Sequence, residues 1–359
     1  MKKQMRNTVK PLAGVLSATL LVALTAANAD PAQPWQAPYA GTDATAANVI
    51  GLWHFDEGAT GSDASGKGHE LVLRGNDTRQ TSNGKFGGAM LVEEMNDLGD
   101  RAQGAQTKDA DDLTPSGAFT VELWFAPDAK TFEQPASPLV DKKNVHYVST
   151  NAHANDDYAL VLNKAAGGKL VLTGHFGFGT SSEKVTSSPQ IIEAGTWHHA
   201  ALTYDGVGGA KIYLDGAQIG QAQFSGHGAV SNGSHALVIG ARIGSLHQRF
   251  CGRIDEVRIS SGATRYASGR VLVNDVASRH AFYRGESAAK LQLHVVNDTL
   301  WPLQNTRVLV QATGAVDITH PLPLLAAGES TPVTISLPTS LRPARYALSI
   351  QVENSQKKS

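Results

Sequence analysis

The chain is 359 residues long and nearly neutral, with 31 basic and 32 acidic side chains and a single cysteine. Such a balance offers no basic footprint for a nucleic-acid backbone, so a nucleic-acid partner is not expected. One cysteine excludes an intrachain disulfide, and stability has to come from a buried core, for which the length suffices in one or two domains.

Residues 1–29 have the pattern of a signal peptide. Lys2, Lys3, Arg6 and Lys10 precede an apolar or small-residue run over 12–26, and Ala27-Asn28-Ala29 supplies a small-x-small cleavage site. The run is short and rich in Ala and Thr for a permanent anchor, which is the alternative, and no Cys follows it to take a lipid. Without that segment's four basic residues, 27 basic side chains face 32 acidic ones. No later stretch approaches transmembrane length, so the mature protein is expected to be exported, with no membrane insertion after signal cleavage. Periplasm, cell surface and medium all fit.

Residues 30–47, rich in Pro, Ala and Thr without a period, are expected to form a flexible lead. From there to about residue 262 the text is strand-like. Apolar or alternating runs occur at 50–55, 70–74, 89–93, 119–125, 158–162, 169–176, 198–204, 211–214, 236–240 and 253–260, separated by Gly, Asn, Asp and Ser. Many short strands at this spacing predict an antiparallel sandwich. Trp53, Phe55, Phe119, Val121, Leu123, Phe125 and Trp197 hold alternate positions and are expected to fill the space between two sheets. Residues 263–286 are expected to connect, with a possible helix over 271–282. Strand periodicity returns over 287–353 as a small immunoglobulin-like sandwich, and 354–359 form a tail. Cys251, beside Phe250 and before an apolar strand, is expected to be a buried structural thiol.

The order of landmarks resembles a known family. They are Gly51-Leu52-Trp53-His54-Phe55-Asp56-Glu57-Gly58 with Asp63-Ala64-Ser65-Gly66-Lys67-Gly68, then Gly84-Lys85-Phe86-Gly87-Gly88-Ala89-Met90. Phe119-Thr120-Val121-Glu122-Leu123-Trp124-Phe125 follows, then Trp197-His198-His199 with two Asp-Gly turns, and last Gly252-Arg253-Ile254-Asp255-Glu256-Val257-Arg258. Together they resemble the laminin-G-like jelly-roll domains of the concanavalin A-like lectin and glucanase superfamily, as found in bacterial exported proteins. The resemblance implies an all-β fold over 48–262, an antiparallel jelly roll, and a lectin-like binding function. It also implies a possible structural calcium held by Asp255 and Asp56, since hard oxygen ligands suit that ion. The alternative is that Asp255 pairs with Arg258 or Arg253 while Asp56 makes a turn.

Catalytic patterns are missing from the sequence. Jelly-roll glucanases of this superfamily carry Glu-x-Asp-x-x-Glu on one strand, and no such string occurs. Adjacent acids such as Glu93 and Glu94 point to opposite faces of a strand. The histidines lack zinc-ligand spacing, and no Gly-x-Ser-x-Gly marks a serine nucleophile. An enzyme is therefore not expected. Two acidic loops, Asp109-Ala110-Asp111-Asp112 and Asn155-Asp156-Asp157, are either rim sites or solvated loops. The stretch His175-Phe176-Gly177-Phe178-Gly179 either offers an aromatic face to a sugar or tucks into the core. The expected partner is a glycan, or an extracellular or periplasmic protein; the alternative to glycan recognition is a structural or adhesive module, and a polysaccharide-active enzyme is a third.

Overall fold

The computed structural model of the chain describes residues 14–15, 33–93, 104–143, 155–242, 249–267, 270–276, 281–282, 285, 289–299, 301–312, 314–338, 340 and 347–354. The expected signal peptide and the tail fall almost wholly outside these residues. No helix among the described residues is long and apolar enough to cross a membrane. The chain divides into two compact units, residues 32–266 and a second one containing 267–359.

The first unit is a sandwich of two antiparallel sheets. In chain order its strands are β1 (Val49–Trp53), β2 (Val72–Leu73), β3 (Thr78–Phe86), β4 (Gly88–Val92) and β5 (Ala105–Gln106). There follow β6 (Phe119–Pro127), β7 (Ala136–Asp141), β8 (Tyr158–Lys164), β9 (Leu170–Gly177) and β10 (Ser182–Thr186). The last are β11 (His198–Tyr204), β12 (Gly209–Leu214), β13 (Ala217–Gln223), β14 (Val238–Ile239) and β15 (Gly252–Ser261). One sheet runs β10-β9-β8-β7-β14-β5-β2, and the other runs β13-β12-β11-β6-β15-β4-β3 with β1 paired to β15. These strands span residues 49 to 261, within a compact unit that runs from 32 to 266.

Strand periodicity explains which side chains meet. Phe119, Val121, Leu123 and Phe125 of β6 enter the core between the sheets with Trp53 and Phe55. They meet Tyr158, Leu160 and Leu162 of β8 and Leu170, Leu172 and Phe176 of β9. Trp197 departs from expectation: it packs against a separate cluster on the outer face of the eight-stranded sheet, under the Arg253 guanidinium. Its place immediately before β11 puts it on the strand's approach, out of phase with Ala200 and Leu202.

That outer cluster also corrects the flexible lead. Residues 34–36 form a 3-10 turn, and Trp35, Tyr39 and Ala44 are buried against Leu52, Trp124, Ala201, Tyr213 and Tyr266. Their partner is a charged group. Glu122, the outward neighbour of core residues Val121 and Leu123, is fully buried. It accepts hydrogen bonds from Tyr39 Oη at 2.8 Å and Arg258 Nη1 at 2.9 Å, and lies 3.1 Å from His199 Nε2. Trp35 stacks on the His199 ring at 4.6 Å and accepts, at its carbonyl, the indole N–H of Trp124. The aromatic and hydroxyl groups of the lead thus close over a carboxylate that water would otherwise reach.

The second unit has two three-stranded antiparallel sheets. Its strands are β16 (Arg270–Asp275), β17 (Lys290–Asp298), β18 (Thr306–Ala312), β19 (Val316–Pro321), β20 (Ser330–Ser336) and β21 (Ser349–Asn354). They are ordered β16-β17-β20 and β19-β18-β21. Val271, Leu293, Val295, Val308, Val310, Val333 and Ile350 share one core, as an immunoglobulin-like sandwich requires. The helix expected in the connector is corrected to strand β16, because Val271 and Val273 alternate into that core and β-branched side chains favour the pleat.

The Glu122 group makes acid stability measurable. Burial opposes its ionisation, but the hydrogen bond and charge of His199, and then Arg258, outweigh burial and hold its carboxyl at about 2, below its ordinary 4.5. A carboxyl depressed on folding contributes stability that is complete above its unfolded value and is lost as pH falls through its folded one. The difference is worth about 3 kcal/mol. Glu122→Gln should therefore flatten the loss of urea stability between about pH 5 and pH 2 by that amount relative to wild type. An acid limb identical in the two proteins would refute the assignment.

Candidate functional site

The two acidic loops meet at one end of the sandwich. The loop before β8 is set by Asp157, whose φ of 59° is left-handed, a conformation Asp tolerates better than most side chains. Its N–H donates to Ser231 O, and its carbonyl accepts from Gly177 N–H. Gly177, which ends β9, has no room for a side chain, since a Cβ there would lie 2.2 Å from the backbone of Asn155. Local sequence therefore fixes three segments, 155–157, 177–182 and 231–233, against one another.

Lys142 joins them to the other acidic loop. It follows β7 and is fully buried, with Nζ 2.9 Å from Asp157 Oδ1 and 3.0 Å from Asp109 Oδ1. Asp157 Oδ1 also accepts from Thr114 Oγ1 and Gly233 N–H, while its Oδ2 is buried with no hydrogen-bond partner. Asn232 Nδ2 donates to Asp111 Oδ1 at 2.8 Å, and Asp112 lies 3.0 Å from His69 Nε2. So the aspartates expected either as rim ligands or as solvated loops are tied down by amide, ammonium and imidazole groups.

The next residue extends the network. Lys143 is also fully buried and donates to Ser182 Oγ at 2.9 Å and to Asp156 O at 3.3 Å. Burial pulls its ammonium down to about 8, against the nearby Asp156, Asp157 and Asp141 charges. Burial also lowers His175 to about 4, helped by the charges of Lys143 and Lys184, so its imidazole is neutral at pH 7. The aromatic stretch divides: Phe176 enters the core, whereas Phe178 is half-buried and stacks on His227 at 4.1 Å, with Glu183 3.5 Å from that imidazole. Sequence reasoning missed Lys142 and Lys143; the available signal was two adjacent cations closing a buried strand.

Residues 99–267 match the family model described as the concanavalin A-like lectin/glucanases superfamily. This region is a laminin-G-like domain. The strands β1, β3 and β4 precede the matched residues yet complete the domain's larger sheet. No curated protein sequence matches the chain. Among solved structures, the chain is similar to the binding domain of Paraclostridial Mosquitocidal Protein 1, at 14% identity and a TM-score of 0.46, over 61% of this chain and 50% of that one. The chain thus spans half the length of that relative. It is similar to domain 4 of an extracellular arabinanase from Geobacillus stearothermophilus in complex with arabinotriose, at 19% identity and a TM-score of 0.42, over 60% and 93% of the two chains. It is also similar to the botulinum neurotoxin serotype D ligand binding domain in complex with N-acetylneuraminic acid, at 10% identity and a TM-score of 0.45, over 77% and 79%.

The laminin-G-like domain does bring Asp56 and Asp255 to one place, the glycine-rich turn between β3 and β4. Asp255 Oδ2 accepts from Lys85 N–H and Phe86 N–H, and its Oδ1 from Glu256 N–H. Asp56 Oδ1 accepts from Gly88 N–H at 2.7 Å. Neither arginine pairs with Asp255: Arg258 serves Glu122, and Arg253 donates to Asn83 O and Gly195 O. Burial pushes the Asp255 carboxyl up to about 7, with the Glu256 charge adding to it against those backbone donors. Glu256 itself lies 2.7 Å from His54 Nδ1. Calcium takes six to eight oxygen ligands. A clasp of backbone N–H groups around two carboxylates does not fit that ion, and no group of three or more His, Cys, Asp or Glu side chains is arranged for a metal among the described residues.

Two outcomes test these assignments. Lys142→Met should cost about 3–5 kcal/mol in denaturant unfolding, because it strands the buried Asp157 charge, and adding Asp157→Asn should recover part of that loss. A double variant no more stable than Lys142→Met would contradict the pairing. Chelation by EDTA should leave the thermal midpoint unchanged; a fall restored by added calcium would reinstate a metal at Asp56 and Asp255.

Proposed function

We propose that the laminin-G-like domain is a non-catalytic, lectin-like carbohydrate-binding module of an exported protein, with a glycan held at the rim formed by the two acidic loops. The observation that carries this is the convergence of Asp109, Asp111 and Asp157 on Lys142 and Asn232, beside the stacked Phe178 and His227 rings. Ligand sites pair an apolar face with a few fixed polar groups, and loops on a rigid sandwich are where such groups collect. Buried partners hold the loops, so little ordering entropy remains to be lost on binding.

The same geometry argues against acid–base chemistry at the rim. Glycoside hydrolysis sets two carboxyl groups across a bond, one of them able to give up a proton. Here an ammonium lies between Asp109 and Asp157, within salt-bridge distance of both. Export is supported by the basic, apolar and small-residue sections of residues 1–29.

Full-length protein on a glycan array, followed by polysaccharide pull-down, tests the function. Retention on one class of glycan is expected, with affinity reduced about tenfold by Phe178→Ala through loss of the aromatic face. Absence of retention on every glycan would overturn the proposal. Release of new reducing ends from a polysaccharide would replace it with an enzyme.

A further inference from the structure

The outer face of the eight-stranded sheet holds a groove of about 510 Å³, on strands other than those that form the rim. Its floor is a cross-strand row. Thr203 of β11 stands opposite Lys211 of β12, and Lys211 opposite Gln221 of β13. Directly opposed residues share a face, and adjacent strands lie about 4.8 Å apart, so hydroxyl, ammonium and amide groups form a line across the sheet. The segment after β15 makes a wall. It is pinned by the N–H of Gly262 on Ala118 O at 2.7 Å and the N–H of Thr264 on Thr120 Oγ1 at 2.9 Å, which brings Arg265 to the groove. Beyond Arg265 the chain is fixed by Tyr266, buried against Tyr213 at a ring separation of 5.1 Å.

The groove is electropositive. Lys211 and Arg265 are exposed, and the one acid among the lining residues is Asp205. Asp205 Oδ1 is occupied locally, accepting from Val207 N–H and Gly209 N–H at 2.8 Å each. Two cations and one carboxylate thus line the groove, and the carboxylate serves the turn between β11 and β12. A groove with a cation row, adjacent amides and a rigid wall selects an extended anion that also carries hydroxyl groups.

We propose that this groove is a second saccharide subsite, selective for a carboxylate-bearing glycan of the uronate type. Lys211 and Arg265 meet the carboxylates, and Gln221 hydrogen-bonds the hydroxyls. The proposal rests on the carbohydrate-binding function above but uses different residues, so the two fail separately.

The test is calorimetric titration of the full-length chain with tetramers of galacturonate, glucuronate and mannuronate, each alongside its methyl ester. At least one acidic tetramer should bind about tenfold tighter than its ester, and Lys211→Gln and Arg265→Gln should each remove about that factor. The preference should shrink with added salt, and Phe178→Ala should leave it unchanged. Equal binding of acid and ester, or acid binding that both cation variants leave intact, overturns the subsite. If neutral glycans are retained in a Phe178-dependent way while no uronate binds, the subsite falls and the rim stands. If no saccharide binds in either format, both fall.

Discussion

Ring packing between the two sheets is the constraint on which the rim of the domain depends. Phe119 of the larger sheet lies 4.9 Å from Tyr158 and 5.8 Å from Tyr204, and Phe176 lies 5.1 Å from Tyr204. Each ring removes a large apolar area from water, and each tilted pair adds about 0.5–1.5 kcal/mol to that burial. Two of the rings carry hydroxyls that must find acceptors once buried. Tyr158 donates to Leu113 O at 2.7 Å and Tyr204 to Gly228 O. Those acceptors lie in the 109–114 and 226–233 loops, so the core's polar handles set the rim. Tyr158 also follows Asp157 directly, and Phe176 precedes Gly177. Core packing and loop placement are thus one interaction seen from two sides.

The opposite face of the larger sheet solves a different problem. Glu122 cannot be removed from water alone, since an isolated buried carboxylate is too costly to keep ionised. Arg258, His199 and the Tyr39 hydroxyl together satisfy it, and only the first two come from neighbouring strands. The third comes from the lead, some eighty residues away in sequence, as does the Trp35 ring over His199. His199 Nδ1 is left buried without a hydrogen-bond partner, so the Trp35 stack and the edge contact with Trp124 offset a polar cost. A segment with no periodicity of its own becomes ordered because the sheet supplies a charge that needs covering.

How much of this the residues announced follows from where each strand lies. Central strands such as β6, β8, β9 and β11 turn their large apolar side chains to the face between the sheets, so Phe119, Tyr158, Leu172 and Leu202 appear at alternate positions and the two-sheet fold is legible. Edge strands are not. β3, β10 and β13 end the two sheets; Thr78–Phe86 and Ser182–Thr186 are mostly polar, and Ala217–Gln223 alternates Gln with small residues around a single Ile. Polar edges resist pairing with other chains, and that same property hides them from a search for apolar period. The site was half legible for a related reason. Aspartates in a loop stand out by composition, but the pairing of Asp109 and Asp157 depends on Lys142, which follows a strand whose register shifts after Pro138. Asp255 was legible as a carboxylate needing partners; that its partners are backbone N–H groups of another hairpin follows from long-range register, which composition does not encode.

Burial divides the labour between the two proposed ligand surfaces. At the rim, Lys142 and Lys143 lie at 0% exposure within closed networks. Screening by salt falls mainly on solvent-exposed charges, so the rim's geometry persists at physiological ionic strength, where the Debye length is about 8 Å. Its charges work by fixing loops, beside the half-buried, mutually stacked Phe178 and His227 rings. The groove is the reverse case: Lys211 and Arg265 are exposed, so on the proposed binding their contribution is discrimination by charge and is open to screening. On the proposed functions, the rim would read shape and hydroxyl pattern and the groove the sign of charge. The groove follows from the strand alternation that sends one set of side chains into the sandwich and the next set out of it, and the rim follows from the loops that join those strands.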